Sequence, residues 1–330
     1  MIINSSAPIA EKMKQSRKCT LPDLRSKTIN YKNNLRGEET RMHNRHDHGI
    51  MSIATTDVVS APQTMKIYGA FETLAQWKFR RLPIVDPGTR RIKGIITAQD
   101  FVNFLGGGQH FNLIHVKHSG NFLSAINEHV SKIMSSDVCT LHESAHIKDA
   151  IQIIVENRIG GIPIVDHDMI LRGIVTERDV LRALSNQKLM SDKRVSEIMT
   201  TNLLVESSDC PLHVATKVMV ENRFRRIPIV SENILLGIIT ATDFIRYIGT
   251  GQAFSKLITG NDAEIMNVPI RELMSTDLLL TSPETSIGEL AEIMVERGIG
   301  AVPVIENEKL VGLVTEHDMV AALSKDHQYT

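Results

Sequence analysis

The chain has 330 residues, and its 37 Lys and Arg residues nearly balance its 38 Asp and Glu residues, so overall charge selects no partner. No apolar run approaches the ~20 residues that a membrane helix needs, and the N-terminus lacks the apolar segment of a signal peptide. Cys19, Cys139 and Cys210 have no paired spacing, which argues against a disulfide framework or a cysteine-ligated zinc site. We therefore expect a cytoplasmic protein without membrane contact.

Residues 1–50 differ from the rest of the chain in charge and in apolar content. They carry ten Lys and Arg residues against five Asp and Glu residues, and they show almost no apolar periodicity. Such a stretch cannot bury enough surface to offset its ordering entropy, so we predict a disordered tail. His43, His46, Asp47 and His48 could bind a metal ion, and the basic charges could contact nucleic acid. A solvated polar tail explains both features, so we predict neither a metal site nor nucleic-acid binding.

After residue 50, one sequence unit occurs four times. Each copy ends in Gly, two aliphatic residues, Thr, two variable residues and Asp, and these segments are Gly94–Asp100, Gly173–Asp179, Gly237–Asp243 and Gly312–Asp318. A proline flanked by aliphatic residues precedes each segment, and these prolines are Pro83, Pro163, Pro228 and Pro303. Repetition of this kind indicates an internal-repeat protein.

A helical pattern precedes each proline. In the second copy the apolar positions are Ile147, Ala150, Ile151, Ile154 and Val155, which is the stripe of an amphipathic helix. The other copies keep the same register, and Thr216 is the one polar exception. Each unit is therefore predicted to fold as a short strand, a helix, two strands and a helix, with turn-rich connections between the two strands.

This pattern resembles the cystathionine β-synthase (CBS) domain. The four repeats span residues 51–105, 130–185, 195–250 and 270–325. Repeats 1 and 3 share Arg-Arg before the proline, whereas repeats 2 and 4 have Gly-Gly or Gly-Ala there, so the chain is arranged as a duplicated pair. The resemblance implies an α+β fold of four β-α-β-β-α repeats paired into two Bateman modules, and it extends to archaeal multi-CBS proteins. Packing two units face to face is expected to bury both sheets in one core.

Two connectors, Gly106–Phe111 and Gly249–Phe254, share a Gly-x-Gly-Gln-x-Phe pattern. A phosphate-binding loop is one interpretation of these glycines. They follow a predicted helix rather than a strand, however, and they lack the Lys-Ser/Thr of a P-loop. Helix C-caps with a flexible exit explain them better.

The Thr and Asp of each repeat match the capping box, in which a helix N-cap and the third helical residue bond each other's backbone. Capping alone explains the four pairs, which are Thr97 and Asp100, Thr176 and Asp179, Thr240 and Asp243, and Thr315 and Asp318. A functional role is compatible with capping, because a helix N-terminus also attracts anions.

The CBS resemblance implies what these residues bind. In the family the Asp contacts a ribose, and the Thr lies beside the ribose and phosphate. The resemblance implies that the aliphatic residues around each proline and the first strand enclose the adenine. Because aromatic residues are scarce, we expect this base pocket to be aliphatic and backbone-lined. Arginine pairs precede two of the prolines, at Arg80–Arg81 and Arg225–Arg226. Guanidinium groups suit phosphates, and the similar γ subunit of AMP-activated protein kinase has basic pairs at this position. Arg178 and His317 could add positive charge, whereas the glycines of repeats 2 and 4 would offer backbone contacts.

The resemblance favours a non-catalytic sensor that binds adenine nucleotides between paired repeats and acts on a partner protein. An S-adenosylmethionine sensor is the alternative, as is a regulator linked to DNA or metal through the tail. An inosine monophosphate dehydrogenase would need an additional (β/α)₈ barrel of about 250 residues, for which the repeats leave no room. We expect no cofactor beyond the regulatory nucleotide, and a homodimer formed through the CBS modules.

Overall fold

The computed structural model describes residues 49–185 and 193–326. The predicted tail, with its histidine cluster, lies outside these residues except for Gly49 and Ile50. For those two the prediction of disorder is wrong, because a short 3₁₀ helix begins at Ile50 and its side chain is fully buried in a hydrophobic core.

Each repeat contains two helices that flank a pair of antiparallel strands. Repeat 1 comprises α1 (Ile67–Trp77), β1 (Arg81–Val85), β2 (Ile92–Thr97) and α2 (Ala98–Leu105), and α3 (Phe122–Ile126) lies in the connector. Repeat 2 comprises β3 (Leu141–His142), α4 (Ile147–Asn157), β4 (Gly161–Val165), β5 (Leu171–Thr176) and α5 (Glu177–Ser185). Repeat 3 comprises α6 (Leu212–Asn222), β6 (Arg226–Ser231), β7 (Ile234–Thr240) and α7 (Ala241–Gly249), and α8 (Asp262–Met266) follows in the second connector. Repeat 4 comprises α9 (Ile287–Arg297), β8 (Ala301–Glu306), β9 (Lys309–Thr315) and α10 (Glu316–Asp326).

Short helical turns also lie in the connections that the structure describes. The first connector contains a π-helix at Leu113–Lys117, and 3₁₀ helices lie at Ile50–Ser52, Val130–Lys132, Val195–Glu197, Gln252–Lys256 and Ile270–Glu272. None of the helices in the described ranges combines the length and hydropathy that a bilayer span requires.

The first strand of each repeat is shorter than predicted. Only repeat 2 forms it, as β3, which pairs in parallel with β4. In the other repeats it shrinks to one parallel bridge, such as the one between Ala61 and Ile84. The following residue is Pro62, and turn residues also follow the corresponding positions of repeats 3 and 4, so the chain leaves the strand after one exchange of hydrogen bonds.

The predicted helical stripe is confirmed in α1, α4, α6 and α9. Its first four positions are buried in every repeat, and the fifth packs against the same cores. The exceptional Thr216 is also fully buried, and its hydroxyl donates to the carbonyl oxygen of Leu212 at 3.0 Å. A buried hydroxyl needs such a partner, and the helix backbone supplies it.

Consecutive repeats meet at the edges of their small sheets. Backbone bridges join Thr55 to Ile174 and Ser135 to Ile95, so repeats 1 and 2 exchange strand-edge hydrogen bonds in both directions. The same exchange joins repeats 3 and 4, through the bridges Thr200–Leu313 and Ser275–Ile238. The two predicted modules are therefore repeats 1 and 2 and repeats 3 and 4.

The two hydrophobic cores run between the modules. One core joins repeats 1 and 3, where α1 packs against α7 and α2 against α6. The other joins repeats 2 and 4, where α5 packs against α9 and α10. The expectation of one core within each pair is corrected here, because the buried faces of the helices and strands in one module pack against those of the other module.

The connector glycines permit this helix packing. Gly106 follows α2 as its C-cap, and Gly249 is the last residue of α7. A Cβ atom on Gly249 would lie 2.4 Å from the carbonyl oxygen of Phe71 on α1, and one on Gly106 would lie 2.6 Å from that of Thr216 on α6. These distances are too short for any side chain, so close helix approach, rather than phosphate binding, accounts for both glycines.

Candidate functional site

The four Thr-x-x-Asp segments form the predicted capping boxes. In each repeat the Asp carboxylate accepts hydrogen bonds from the backbone N–H and the hydroxyl of the Thr, at 2.7 to 2.9 Å. The Thr ends a strand and the Asp lies in the first turn of the next helix. The capping prediction is therefore confirmed, and any binding role of these residues is additional to it.

Tertiary packing makes the four Asp residues unequal. Asp100 and Asp243 are buried, at 5% and 4% exposure. The second carboxylate oxygen of Asp100 accepts a hydrogen bond from the Ser135 hydroxyl at 3.2 Å, and that of Asp243 accepts one from Arg246 at 2.8 Å. Burial raises the pKa of both carboxyl groups despite the hydrogen bonds that they accept.

Burial of Asp100 predicts a pH effect on stability. A carboxyl whose pKa is raised on folding binds its proton more tightly in the folded state, so its contribution to stability decreases as pH rises from the unfolded pKa of about 4 through the raised value. Asn is neutral at every pH and keeps an oxygen for the Thr97 N–H. We expect the melting temperature of Asp100→Asn minus that of the wild type to increase from pH 4 to pH 8. A difference that stays constant over this range would contradict the burial argument.

One cleft lies between repeats 1 and 2, and we call it the first cleft. Six of the predicted site residues line it, namely Arg80, Arg81, Pro83, Thr176, Arg178 and Asp179. Gly160, one of the glycines expected to offer backbone contacts, also lines it. The lining residues that the sequence interpretation did not name are Thr55, Asp57, Val58, Val59, Lys78, Phe79, Ile174, Glu177 and Glu316. The cleft therefore combines the arginine pair of repeat 1 with the capping box of repeat 2.

The segment Thr55–Val59 was missed although it carries a repeated signal. Its Ser/Thr-x-Asp/Asn pattern recurs at Ser135, Thr200 and Ser275, the residues that bridge the neighbouring repeat. Comparing the four repeats over this short stretch would have identified it. The bridge from Thr55 to Ile174 places the segment beside the last residues of β5.

Phe79 changes the expected character of the base pocket. The scarcity of aromatic residues predicts an aliphatic and backbone-lined pocket, but Phe79 lines the first cleft together with Val58 and Val59. Its ring stacks on Trp77, with centroids 6.1 Å apart. An aromatic surface is thus present at the cleft, and α1 ends immediately before it, with a left-handed C-cap at Lys78.

Glu316 of repeat 4 holds two arginines of the first cleft. Its carboxylate accepts a hydrogen bond from Arg80 at 2.8 Å and another from Arg178 at 2.7 Å. Arg178 also donates to the carbonyl oxygen of Gly298 at 2.7 Å. The arginines of the first cleft thus bond a residue of the other module.

Arg81 and Arg226 are half-buried. Burial lowers the pKa of each to about 10, so both remain charged at neutral pH. Burial alone would raise the pKa of Glu177, but the contact with His317 and the charges of Arg225 and Arg81 lower it overall. The ionised Glu177 thus stabilises the contacts of repeat 2 with the other repeats. Its contribution to the free energy of unfolding is lost as pH falls through its lowered pKa.

The glycines of repeats 2 and 4 make room for these guanidinium groups. A Cβ atom on Gly160 would lie 2.4 Å from Nη2 of Arg81, and one on Gly300 would lie 2.5 Å from Nη2 of Arg80. Arg226 donates to the carbonyl oxygen of Gly300 at 2.8 Å. The Arg-Arg pairs of repeats 1 and 3 therefore fit against the Gly-Gly or Gly-Ala pairs of repeats 2 and 4, where a larger side chain would leave no room for the guanidinium groups.

The other predicted residues lie outside the first cleft. Thr315, His317, Asp318, Arg225 and Arg226 belong to the equivalent region of repeats 3 and 4, where His317 lies 3.3 Å from Glu177. In the motifs Thr97–Asp100 and Thr240–Asp243, the second oxygen of the Asp already accepts a hydrogen bond from Ser135 or from Arg246. Each predicted proline is the third residue of its strand. These prolines are Pro83 in β1, Pro163 in β4, Pro228 in β6 and Pro303 in β8.

Within residues 49–185 and 193–326, no group of three or more His, Cys, Asp or Glu residues is arranged to hold a metal ion. The metal hypothesis for the tail lies outside these ranges.

The fold and its cleft define a protein of four paired α+β repeats with a cleft between repeats 1 and 2. The CBS domain family matches residues 50–107, 130–186, 195–250 and 270–325, and the chain belongs to this family. It is 42% identical over 273 residues to protein MJ1225 of Methanocaldococcus jannaschii, which covers 82% of this chain and 97% of that protein. It is 28% identical to a 33.4 kDa protein of Thermofilum pendens, over 80% of this chain and 87% of that protein.

Solved structures agree with this assignment. The crystal structure of MJ1225, which has been proposed as an archaeal homologue of γ-AMPK, superposes with a TM-score of 0.80 at 40% identity and covers 83% of this chain and 99% of that one. A protein from Pyrococcus horikoshii superposes with a TM-score of 0.54 at 20% identity and covers 84% of this chain and 100% of its own, which shows the shared fold.

Proposed function

We propose that the first cleft binds adenosine phosphates and that the protein is a non-catalytic regulator whose ligand state acts on a partner. The observation that carries this proposal is the convergence of the Thr176–Asp179 box with Arg80, Arg81 and Arg178 in one cleft. One ligand can therefore find a hydrogen-bond acceptor for its ribose hydroxyls and hydrogen-bond donors for its phosphate groups.

Each part of the cleft suits one part of the nucleotide. Asp179 can accept hydrogen bonds from two vicinal ribose hydroxyls, since only one of its oxygens serves the capping box. Arg80 and Arg178 offer charge-assisted hydrogen bonds to phosphate. Val58, Val59 and Phe79 offer an apolar surface for the adenine.

The relationship to MJ1225 supports a regulatory role. That protein is similar over most of this chain and has been proposed as an archaeal homologue of γ-AMPK. The four CBS matches account for most of the described residues. Cytoplasmic localisation, the homodimer and the existence of a regulated partner protein remain predictions.

S-adenosylmethionine is the second candidate ligand, and the charge of the first cleft favours keeping it. The lining contains four basic residues, Lys78, Arg80, Arg81 and Arg178, and four acidic residues, Asp57, Glu177, Asp179 and Glu316. A lining without excess positive charge does not by itself reject a cationic sulfonium. The arginines and the relationship to MJ1225 place the phosphates first.

Calorimetric titration of the full-length protein decides between these ligands. We expect AMP, ADP or ATP to bind more tightly than S-adenosylmethionine. The matched guanine nucleotides should bind about tenfold more weakly, since guanine would place additional polar groups without partners against the apolar surface of Val58, Val59 and Phe79, at a cost of about 1–3 kcal/mol. Equal binding of adenine and guanine nucleotides would reject the adenosine assignment. Binding of S-adenosylmethionine alone would replace the phosphate ligand with the second candidate.

A further inference from the structure

The carboxylate of Glu316 lies where the basic groups of the first cleft converge. It accepts hydrogen bonds from Arg80 of repeat 1 and Arg178 of repeat 2, although it belongs to repeat 4. Its side chain is 3% exposed, whereas those of Arg80 and Arg178 are 27% and 29% exposed. The acid is thus fixed at the inner end of the cleft, and the two arginines extend from it toward the cleft.

Three features hold Glu316 in this position. It is the first residue of α10, where the helix dipole favours a negative charge. Its backbone N–H donates to the carbonyl oxygen of Gly300 at 3.2 Å. The guanidinium of Arg80 rests on the same glycine, where a Cβ atom would lie 2.5 Å from Nη2. The start of α10 and the backbone hydrogen bond to Gly300 therefore fix the position of Glu316.

A phosphate group and this carboxylate need the same donors. A phosphate that hydrogen-bonds Arg80 and Arg178 shares those guanidinium groups with Glu316 or displaces its carboxylate from them. Two anions side by side in a partly buried site repel each other strongly. Each further phosphate adds charge to that repulsion.

We propose that Glu316 is a specificity-determining residue, which competes with the ligand's phosphate groups for Arg80 and Arg178 and so disfavours ligands of higher phosphate charge. The inference rests on the proposed function and deepens it.

The neighbouring acid Glu177 has a different role. It occupies the equivalent position on α5, but it faces His317, Arg225 and Arg81 rather than the more exposed arginines of the cleft. The competition with phosphate is therefore assigned to Glu316.

The test compares wild-type protein with Glu316→Gln in calorimetric titrations with adenosine, AMP, ADP and ATP at one ionic strength. Gln keeps the size of the side chain and one oxygen acceptor but removes the charge. We expect the variant to bind adenosine as tightly as the wild type does. It should bind AMP about threefold more tightly and ATP at least about tenfold more tightly, because the repulsion from Glu316 grows with ligand charge. Glu316→Asp keeps the charge, and we expect it to retain the wild-type order of affinities.

Glu272→Gln is the matched control, because it removes the acid of an exposed ion pair with Lys256. It should change no affinity. A gain in Glu316→Gln that is equal for adenosine and ATP, or no gain at all, overturns the inference while leaving nucleotide binding intact. If the wild type binds none of the four compounds, the proposed function fails, and pyrophosphate then tests Glu316 alone. Tighter pyrophosphate binding by Glu316→Gln supports the competition, and equal binding refutes it.

Discussion

Asp179→Asn is expected to lower the affinity for adenosine phosphates about 100-fold, whereas Asp100→Asn leaves it unchanged. Both residues carry the same motif and the same capping hydrogen bonds. Asp179 lines the first cleft, and Asp100 is buried with its second oxygen bonded to Ser135. Hydrogen bonds to a charged group contribute about 1.5–3 kcal/mol each, so the loss of the carboxylate at a ribose accounts for a factor of this size.

The pair of variants separates ligand binding from capping. Asn retains one oxygen acceptor for the Thr N–H in both repeats, so the two variants lose similar capping energy, about 1 kcal/mol or less. Titration gives the affinities, and thermal melting without ligand gives the stabilities. Equal loss of affinity in both variants would show that the cleft assignment is wrong. Arg81→Ala is a poorer test of ligand binding, because Arg81 also faces the buried Glu177 and its removal leaves that carboxylate with one fewer cation.

Gly249→Ala is expected to destabilise the protein by about 3 kcal/mol, because the added Cβ would lie 2.4 Å from the carbonyl oxygen of Phe71. That oxygen belongs to the backbone of α1 and cannot rotate away, so α1 and α7 must separate. Their contact joins repeats 1 and 3 across the two modules. For a domain of this size the melting temperature should fall by about 5–10 °C, measured by calorimetry or circular dichroism.

Gly69→Ala is the matched control, on the helix that Gly249 contacts. Gly69 lies in α1. Among the residues that the structure describes, a Cβ atom there would approach only the side chain of Met65, at 3.4 Å. Alanine favours the helix over glycine by about 0.5–1 kcal/mol, so this variant should be as stable as the wild type or more stable. Similar melting temperatures for Gly249→Ala and the wild type would contradict the close packing of α1 and α7.

The sequence by itself determined what depends on neighbouring residues. The apolar stripe fixes which face of α1, α4, α6 and α9 is buried, because residues three and four apart share one face of a helix. The Thr and Asp of each repeat lie three positions apart, so their capping box forms within one turn whatever surrounds it. The repeat register and the CBS family followed from the same local evidence.

The tertiary structure alone decided how these local units combine. Arg80 and Glu316 are 236 positions apart, and no periodicity links them. The four identical motifs gave no sign that Asp179 lines a cleft while Asp100 is closed by Ser135, since that depends on which repeat packs against which. The pairing of repeat 1 with repeat 3 likewise depends on the fit of Gly249 against α1. Contacts between distant segments are set by shape and charge across the whole fold, and a local pattern contains neither.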